Sequence, residues 1–305
     1  MRRIKLARTL QRISDFLPRK YPVKSRAGLA EQPFFVLGSG RNGSTLLNRM
    51  LNQHSELFLP SEQYFLGNSI IKYKLYNFLI WRDLMKVIAG ELMKVTGSHT
   101  WDFSAEEIFD VLNTTDDKSL QSVLEVIFRT YGLKNKPTFS QWGDTTPLNT
   151  YYVPELLSVF PKARYLFLLR DGRDVVASYK RGGEAYLGKL AQPQQAAIHW
   201  VHALEQYQML RKKSEVLLIR YEDLVTQPEV ELMKVCDHLK VDYEDRMLTY
   251  HQTIPTAPMY QEPQHAKIVK PVDTSSIGNW QKVLSEEDLQ SCIIMDPWLA
   301  KFDYR

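Results

Sequence analysis

Cysteine is nearly absent: Cys236 and Cys292 are the only two in 305 residues, and each sits among apolar neighbours with no partner motif. That excludes a disulfide framework and fits a reducing compartment. Long hydrophobic runs are also missing. No stretch of about 18 uninterrupted apolar residues occurs, so no transmembrane helix is expected. No apolar h-region follows the N-terminal charges, so no signal peptide is expected, and the protein reads as cytoplasmic. Nor does the body of the chain carry excess positive charge. The whole chain is +4, but residues 1–30 hold nine Lys or Arg against Asp15 alone, a balance of +8 that leaves −4 for the remainder. Only the N-terminal arm is basic, which argues against a nucleic-acid partner.

What is present reads as an ordinary globular chain, 44% hydrophobic and 24% charged. The arm spans residues 1–30 and a single domain spans 31–305. In the arm, Leu6, Leu10, Ile13 and Leu17 recur at helical spacing, with Arg3, Arg8 and Arg12 elsewhere on the wheel. A helix over 4–17 packed on the domain is the plainer reading, and docking to a membrane surface or partner is the alternative. Pro18, Pro22 and Gly28 then form a linker.

Pro33 opens the run Phe34-Phe35-Val36-Leu37, short and apolar enough for a buried parallel strand, and a helix follows the glycines after it. Residues 65–135 read as mostly helical, a helical insertion over about 62–140 on the acceptor side. A second unit has the strand Ala163 to Leu169, the turn Arg170-Asp171-Gly172 and a helix from Asp174 to Lys180. A third has the strand Val216 to Ile219, ending at Arg220-Tyr221-Glu222-Asp223, and a helix around Val230 to Leu239. Residues 253–279 are proline-rich and read as a long functional loop, and Ser285 as the cap of a last helix. Strands alternating with helices predict an α/β fold, a central, mainly parallel sheet flanked by helices, with its site at the strands' carboxyl ends.

The loop Gly38-Ser39-Gly40-Arg41-Asn42-Gly43-Ser44-Thr45 has both glycines and the final hydroxyl of the pattern G-x-x-x-x-G-K-[ST], but Ser44 replaces the lysine. Glycines let successive backbone N–H groups turn towards a phosphate, and the following helix adds its positive end. Without the lysine that reaches β and γ phosphates, a donor with a different reactive end is indicated. Arg170, ending a strand, and Ser178, inside the next helix, can hold a second phosphate; an Arg170–Asp174 salt bridge is the structural alternative. His199 and His202 lie on one helical face, but no third ligand is near, so no metal site is assigned. The aromatics from Tyr64 to Trp81, and Tyr151-Tyr152, read as helical core before acceptor groove.

Together, GSGRNGSTLL, YLFLLRDGRDVVASYKR and IRYEDL resemble the sulfotransferases that use 3′-phosphoadenosine 5′-phosphosulfate (PAPS), a P-loop nucleotide-transferase-like fold. The resemblance spans roughly residues 33–225 and implies that Ser39, Gly40, Arg41, Asn42, Gly43, Ser44 and Thr45 hold the 5′-phosphosulfate. It implies that Arg170, Ser178 and Arg181 hold the 3′-phosphate, that Tyr221 lies near the adenine, and that no metal is needed. Within the family the likeness is to the tyrosylprotein branch, whose first motif also carries arginine. There a glutamate about twenty residues on serves as base, which corresponds here to Glu62, with Arg41 steadying the transferring group. Lys270-Pro271-Val272-Asp273 and Gly278-Asn279-Trp280 are similar to a segment of that branch that closes over the nucleotide, so Lys270 and Asn279 join the candidate contacts.

Three positions depart from the branch: Thr145 and Asn279 stand where it has lysines, and Gln264 and His265 near where it has a serine. The expected partner is therefore a hydroxyl-bearing acceptor of open class, peptidyl tyrosine, carbohydrate or small molecule. The branch is usually anchored in the Golgi membrane, and no anchor segment is read here. Two other functions compete: a nucleotide-dependent phosphoryl transferase, disfavoured by the missing lysine and magnesium-binding acid, and a non-catalytic nucleotide-binding protein, disfavoured by Glu62.

Overall fold

A computed structural model describes residues 9, 19–94, 101–253 and 269–304. Apart from Thr9, the helix expected over 4–17 lies outside the described residues, as do Gln264 and His265. In chain order the main elements are β1 (Phe34–Leu37), α1 (Ser44–Leu51), β2 (Leu57–Phe58), α2 (Leu66–Leu75), α3 (Trp81–Met93), α4 (Ala105–Asn113) and α5 (Leu120–Asn135). There follow β3 (Gln141–Asp144), α6 (Val153–Val159), β4 (Arg164–Leu169), α7 (Gly172–Gly182), α8 (Pro193–Leu210), β5 (Val216–Arg220), α9 (Tyr221–Thr226) and α10 (Pro228–Leu239). The fold is α/β, and the pairings β1–β4, β4–β5 and β2–β3 are all parallel. Among the described residues, no helix is long and apolar enough to cross a membrane.

The chain forms two compact units. The second, built from residues 34–55, 164–256 and 260–305, holds β1, β4 and β5. Phe34 pairs with Arg164 and Leu37 with Phe167, while Leu169 pairs with Arg220. β1 is buried throughout and β4 in all but its first residue, the pattern of a parallel sheet covered on both faces. This register opens the turns after Leu37, Leu169 and Arg220 at the same sheet edge, where α/β folds bind ligands. α7 begins two residues before the expected Asp174, because Asp171 caps it by accepting the Arg173 N–H.

The first unit, residues 1–33, 56–163 and 257–259, holds β2 and β3 with α2 to α5 between them. Neither strand was foreseen; β2 has only two residues and β3 reads Gln-Trp-Gly-Asp, too polar for a pattern search. The core is aromatic. Trp142 stacks on Phe128 at 3.9 Å between ring centroids, and Trp101 on Tyr131 at 4.3 Å. Phe65, Tyr73 and Trp81 are buried as expected of helical core, whereas Tyr64 and Phe78 are exposed. Ser285 caps the helix Glu286–Ser291 in a reciprocal box with Asp288, but one more helix, Asp296–Lys301, follows it.

Candidate nucleotide-binding site

The loop between β1 and α1 is bent by three left-handed residues, Gly40 (φ 72°), Arg41 (φ 53°) and Gly43 (φ 97°). Glycine is required at 43 twice over: besides its φ, a Cβ there would lie 2.5 Å from the Tyr221 ring. Asn42 is fully buried and points into the fold. Its Nδ2 donates to the Leu168 carbonyl at 2.8 Å and its Oδ1 accepts the Ser44 N–H at 3.4 Å. Asn42 thus ties the loop to β4, leaving its backbone rather than its side chain for a ligand. The Ser39 carbonyl accepts from Tyr179 Oη at 2.9 Å, and the half-buried His199 ring also hydrogen-bonds the Ser39 backbone. Gly43 caps α1 without a side chain, so apart from the Ser44 N–H on Asn42 no side-chain cap occupies the first turn, whose N–H groups form the positive end of the helix.

Arg170, at the end of β4, is the hub of the second constellation. Its Nη1 donates to the Arg41 carbonyl at 3.0 Å and its Nη2 to the Ser276 carbonyl at 2.6 Å. The guanidinium lies 4.4 Å from the Tyr221 ring centroid, and Nε is buried with no partner among the described residues. The Arg170–Asp174 ion pair exists only at 4.0 Å. Asp174 instead accepts the N–H groups of Gly278 at 2.8 Å and Trp280 at 2.9 Å. Ser178, one helical turn on, accepts from Arg41 Nε at 3.1 Å. Arg41 is therefore bound to the second motif through both backbone and side chain.

Ser39 to Thr45, Arg170, Ser178 and Tyr221 thus come together in the second unit. Arg181 is exposed on α7, three residues after Ser178 and hence on the same face. Lys270 has an exposed side chain, and its carbonyl accepts from Tyr250 Oη at 2.8 Å. The Asn279 amide donates to the Ser275 carbonyl at 2.6 Å. Glu62 and Thr145 belong to the first unit: Glu62 is half-buried in the loop after β2, and Thr145 is buried after β3. Among the described residues, no group of three or more His, Cys, Asp or Glu could hold a metal.

Several contributors lie beyond sequence reasoning because their partners are far along the chain. Trp200 Nε1 donates to the Arg170 carbonyl at 3.0 Å, so the adjacent residues His199 and Trp200 brace the turns after β1 and β4. Arg173 is forked onto Asp171, with its Nη2 2.7 Å from Oδ2, and lies 4.3 Å from the Trp280 ring centroid. Glu222 accepts the Asp171 N–H and the Tyr304 hydroxyl, both at 2.9 Å, and burial pushes its carboxyl up.

Asp174→Ala should free the Gly278 and Trp280 amides. Their hydrogen exchange should speed up about tenfold, the scale of a lost charge-assisted bond; unaltered exchange would refute the clamp. Burial lowers His199 from 6.5 to about 4. Between those values the unfolded chain binds the extra proton, so stability drops as pH falls through that window. Urea unfolding of His199→Gln should show a shallower acid loss than the parent.

The family model described as "Sulfotransferase family" matches residues 33–245, more than half of the chain. Protein-tyrosine sulfotransferase A of Caenorhabditis elegans is 25% identical over 281 residues, covering 89% of this chain and 67% of that protein. The protein-tyrosine sulfotransferase of Drosophila melanogaster is 22% identical over 278 residues, covering 88% of this chain and 51% of the fly protein. Among solved structures, the sulfotransferase domain of the Synechococcus PCC 7002 olefin synthase superposes with a TM-score of 0.58 at 18% identity, over 87% of this chain and 96% of that domain. That likeness shows the same fold, and the matched family model shows the family: the chain belongs to the sulfotransferase family and is a sulfotransferase enzyme.

Proposed function

We propose that this enzyme transfers the sulfuryl group of PAPS to a hydroxyl acceptor, with Glu62 as general base. The observation that carries the donor assignment is the Arg41–Arg170–Ser178–Tyr221 cluster at the carboxyl ends of three parallel strands. The residues suit a nucleotide phosphorylated at both ends of its ribose. Arg170 keeps a buried, unpartnered Nε beside an aromatic ring, and the loop's left-handed turn leaves backbone amides for an anion. When bound, PAPS supplies a sulfuryl group already activated by its phosphate leaving group.

The chain's own residues divide the remaining work. Backbone groups of Ser39 to Thr45, with the hydroxyls of Ser44 and Thr45, hold the 5′ end, and Arg41 offsets charge there. Arg170, Ser178 and Arg181 hold the 3′-phosphate, and Tyr221 presents its ring to the base. Lys270 and Asn279 lie on the late segment that Asp174 ties to α7. Fixed donors of this kind contribute roughly 100–1,000-fold each. Glu62 takes the acceptor proton. Peptidyl tyrosine is the favoured acceptor, since curated relatives are protein-tyrosine sulfotransferases; Thr145, in place of that branch's lysine, keeps carbohydrate and small-molecule hydroxyls in the test.

Adenosine 3′,5′-bisphosphate should raise the melting temperature in the presence of EDTA; at a hundred times its Kd the stabilisation is about 2.7 kcal/mol. A larger shift with magnesium-ATP would sink the donor assignment. Glu62→Gln should lower kcat on every acceptor turned over by about 100–10,000-fold while leaving bisphosphate affinity intact. Turnover near the parent's level would remove Glu62 as base.

A further inference from the structure

Glu62 lies between two residues whose backbones are fixed by partners distant in sequence. On one side, Trp101 Nε1 donates to the Ser61 carbonyl at 3.1 Å, while the Trp101 ring is stacked on Tyr131. On the other, Thr146 Oγ1 accepts the Gln63 N–H at 3.0 Å and donates to the Gln63 carbonyl at 3.4 Å. Thr146 is fixed in turn. Its N–H donates to Asp144 Oδ1 at 2.7 Å, and Asn149 Nδ2 holds the other carboxylate oxygen at 2.9 Å. Gln63 folds its own amide oxygen back onto the Tyr64 N–H at 3.0 Å, and the Tyr64 hydroxyl lies 3.4 Å from Glu62 Oε2. Asp144, Thr146, Gln63 and Trp101 are all buried to within 2% of full exclusion, in contrast to the half-buried Glu62.

Such an arrangement gives a surface loop the rigidity of an element. Threonine suits the junction because one hydroxyl can accept from the N–H and donate to the carbonyl of the same residue. Burial raises Asp144 while the bonds from Thr146 and Asn149 oppose the rise, and both of its carboxylate oxygens accept a bond inside the fold. We propose that Thr146, anchored by Asp144, is a positioning residue that sets the backbone carrying Glu62 and with it the geometry of proton removal from the acceptor. This rests on the reading of Glu62 as the base.

Thr146→Val keeps the side-chain shape and removes only the hydroxyl. Misplacing a catalytic group by a fraction of an ångström to an ångström should lower kcat by about 10–100-fold, with KM for the acceptor and affinity for adenosine 3′,5′-bisphosphate unchanged. Hydrogen exchange at the Gln63 and Tyr64 amides should accelerate in the free protein, and Thr146→Ser should restore both kcat and protection. If the valine variant fails to fold, Trp101→Phe serves instead. It keeps a ring beside Tyr131, frees the Ser61 carbonyl, and should also lower kcat without weakening bisphosphate binding. Unaltered kcat in Thr146→Val beside an inactive Glu62→Gln overturns the positioning role and leaves the base assignment standing. An active Glu62→Gln overturns the base assignment itself. Equal losses of kcat and bisphosphate affinity overturn the proposal in favour of general destabilisation.

Discussion

Arg170 donates to the main-chain carbonyl of Arg41 from a position where the strand has just ended and nearly everything around it is buried. That one bond joins two turns that the parallel register of β1 and β4 merely brings near each other. The remaining contacts read as support for this juncture. Asn42 ties the first turn to β4, Trp200 holds the Arg170 carbonyl, and Ser178 receives the Arg41 side chain.

The backbone at Arg41 carries a cost that makes sense only in this setting. A non-glycine residue at φ 53° loses about 1–2 kcal/mol relative to a right-handed conformation. Glycine would avoid that loss but would forfeit the guanidinium that reaches Ser178. The loop therefore accepts strain at a residue whose side chain reaches Ser178 of the second motif, while neighbouring glycines at 40 and 43 absorb the rest of the bend without strain.

Much of this unit was legible in the sequence. The runs at 34–37 and 165–169 are continuous and apolar because both sheet faces are covered, and the glycines fall where the chain must turn. Arg170 and Ser178 could be picked out because they follow a strand end at helical spacing, whereas Tyr221 stood out only through the resemblance of its motif. The clamp from Asp174 to residues 278 and 280 was not legible, and Asp174 had instead been weighed as a salt-bridge partner. Nothing local distinguishes an aspartate whose partners are backbone amides a hundred residues away. His199, Trp200 and Tyr304 were missed for the same reason. β2 and β3 escaped because strands of two and four residues carry too little pattern to separate from loops. Asn42 was legible as a loop residue, but its inward direction follows from the Leu168 carbonyl, which only the fold supplies.

The absent side chain at Gly43 and the ring of Tyr221 are two halves of one shape, with room for nothing between them. Each position then limits what the other can become. A methyl at 43 is barred by the ring and by the backbone's φ of 97° alike, and a smaller residue at 221 would leave a hollow against the loop. Shrinking Tyr221 would lift only the steric bar and leave the left-handed backbone, so glycine at 43 answers two independent demands, one of them made from 178 residues along the chain.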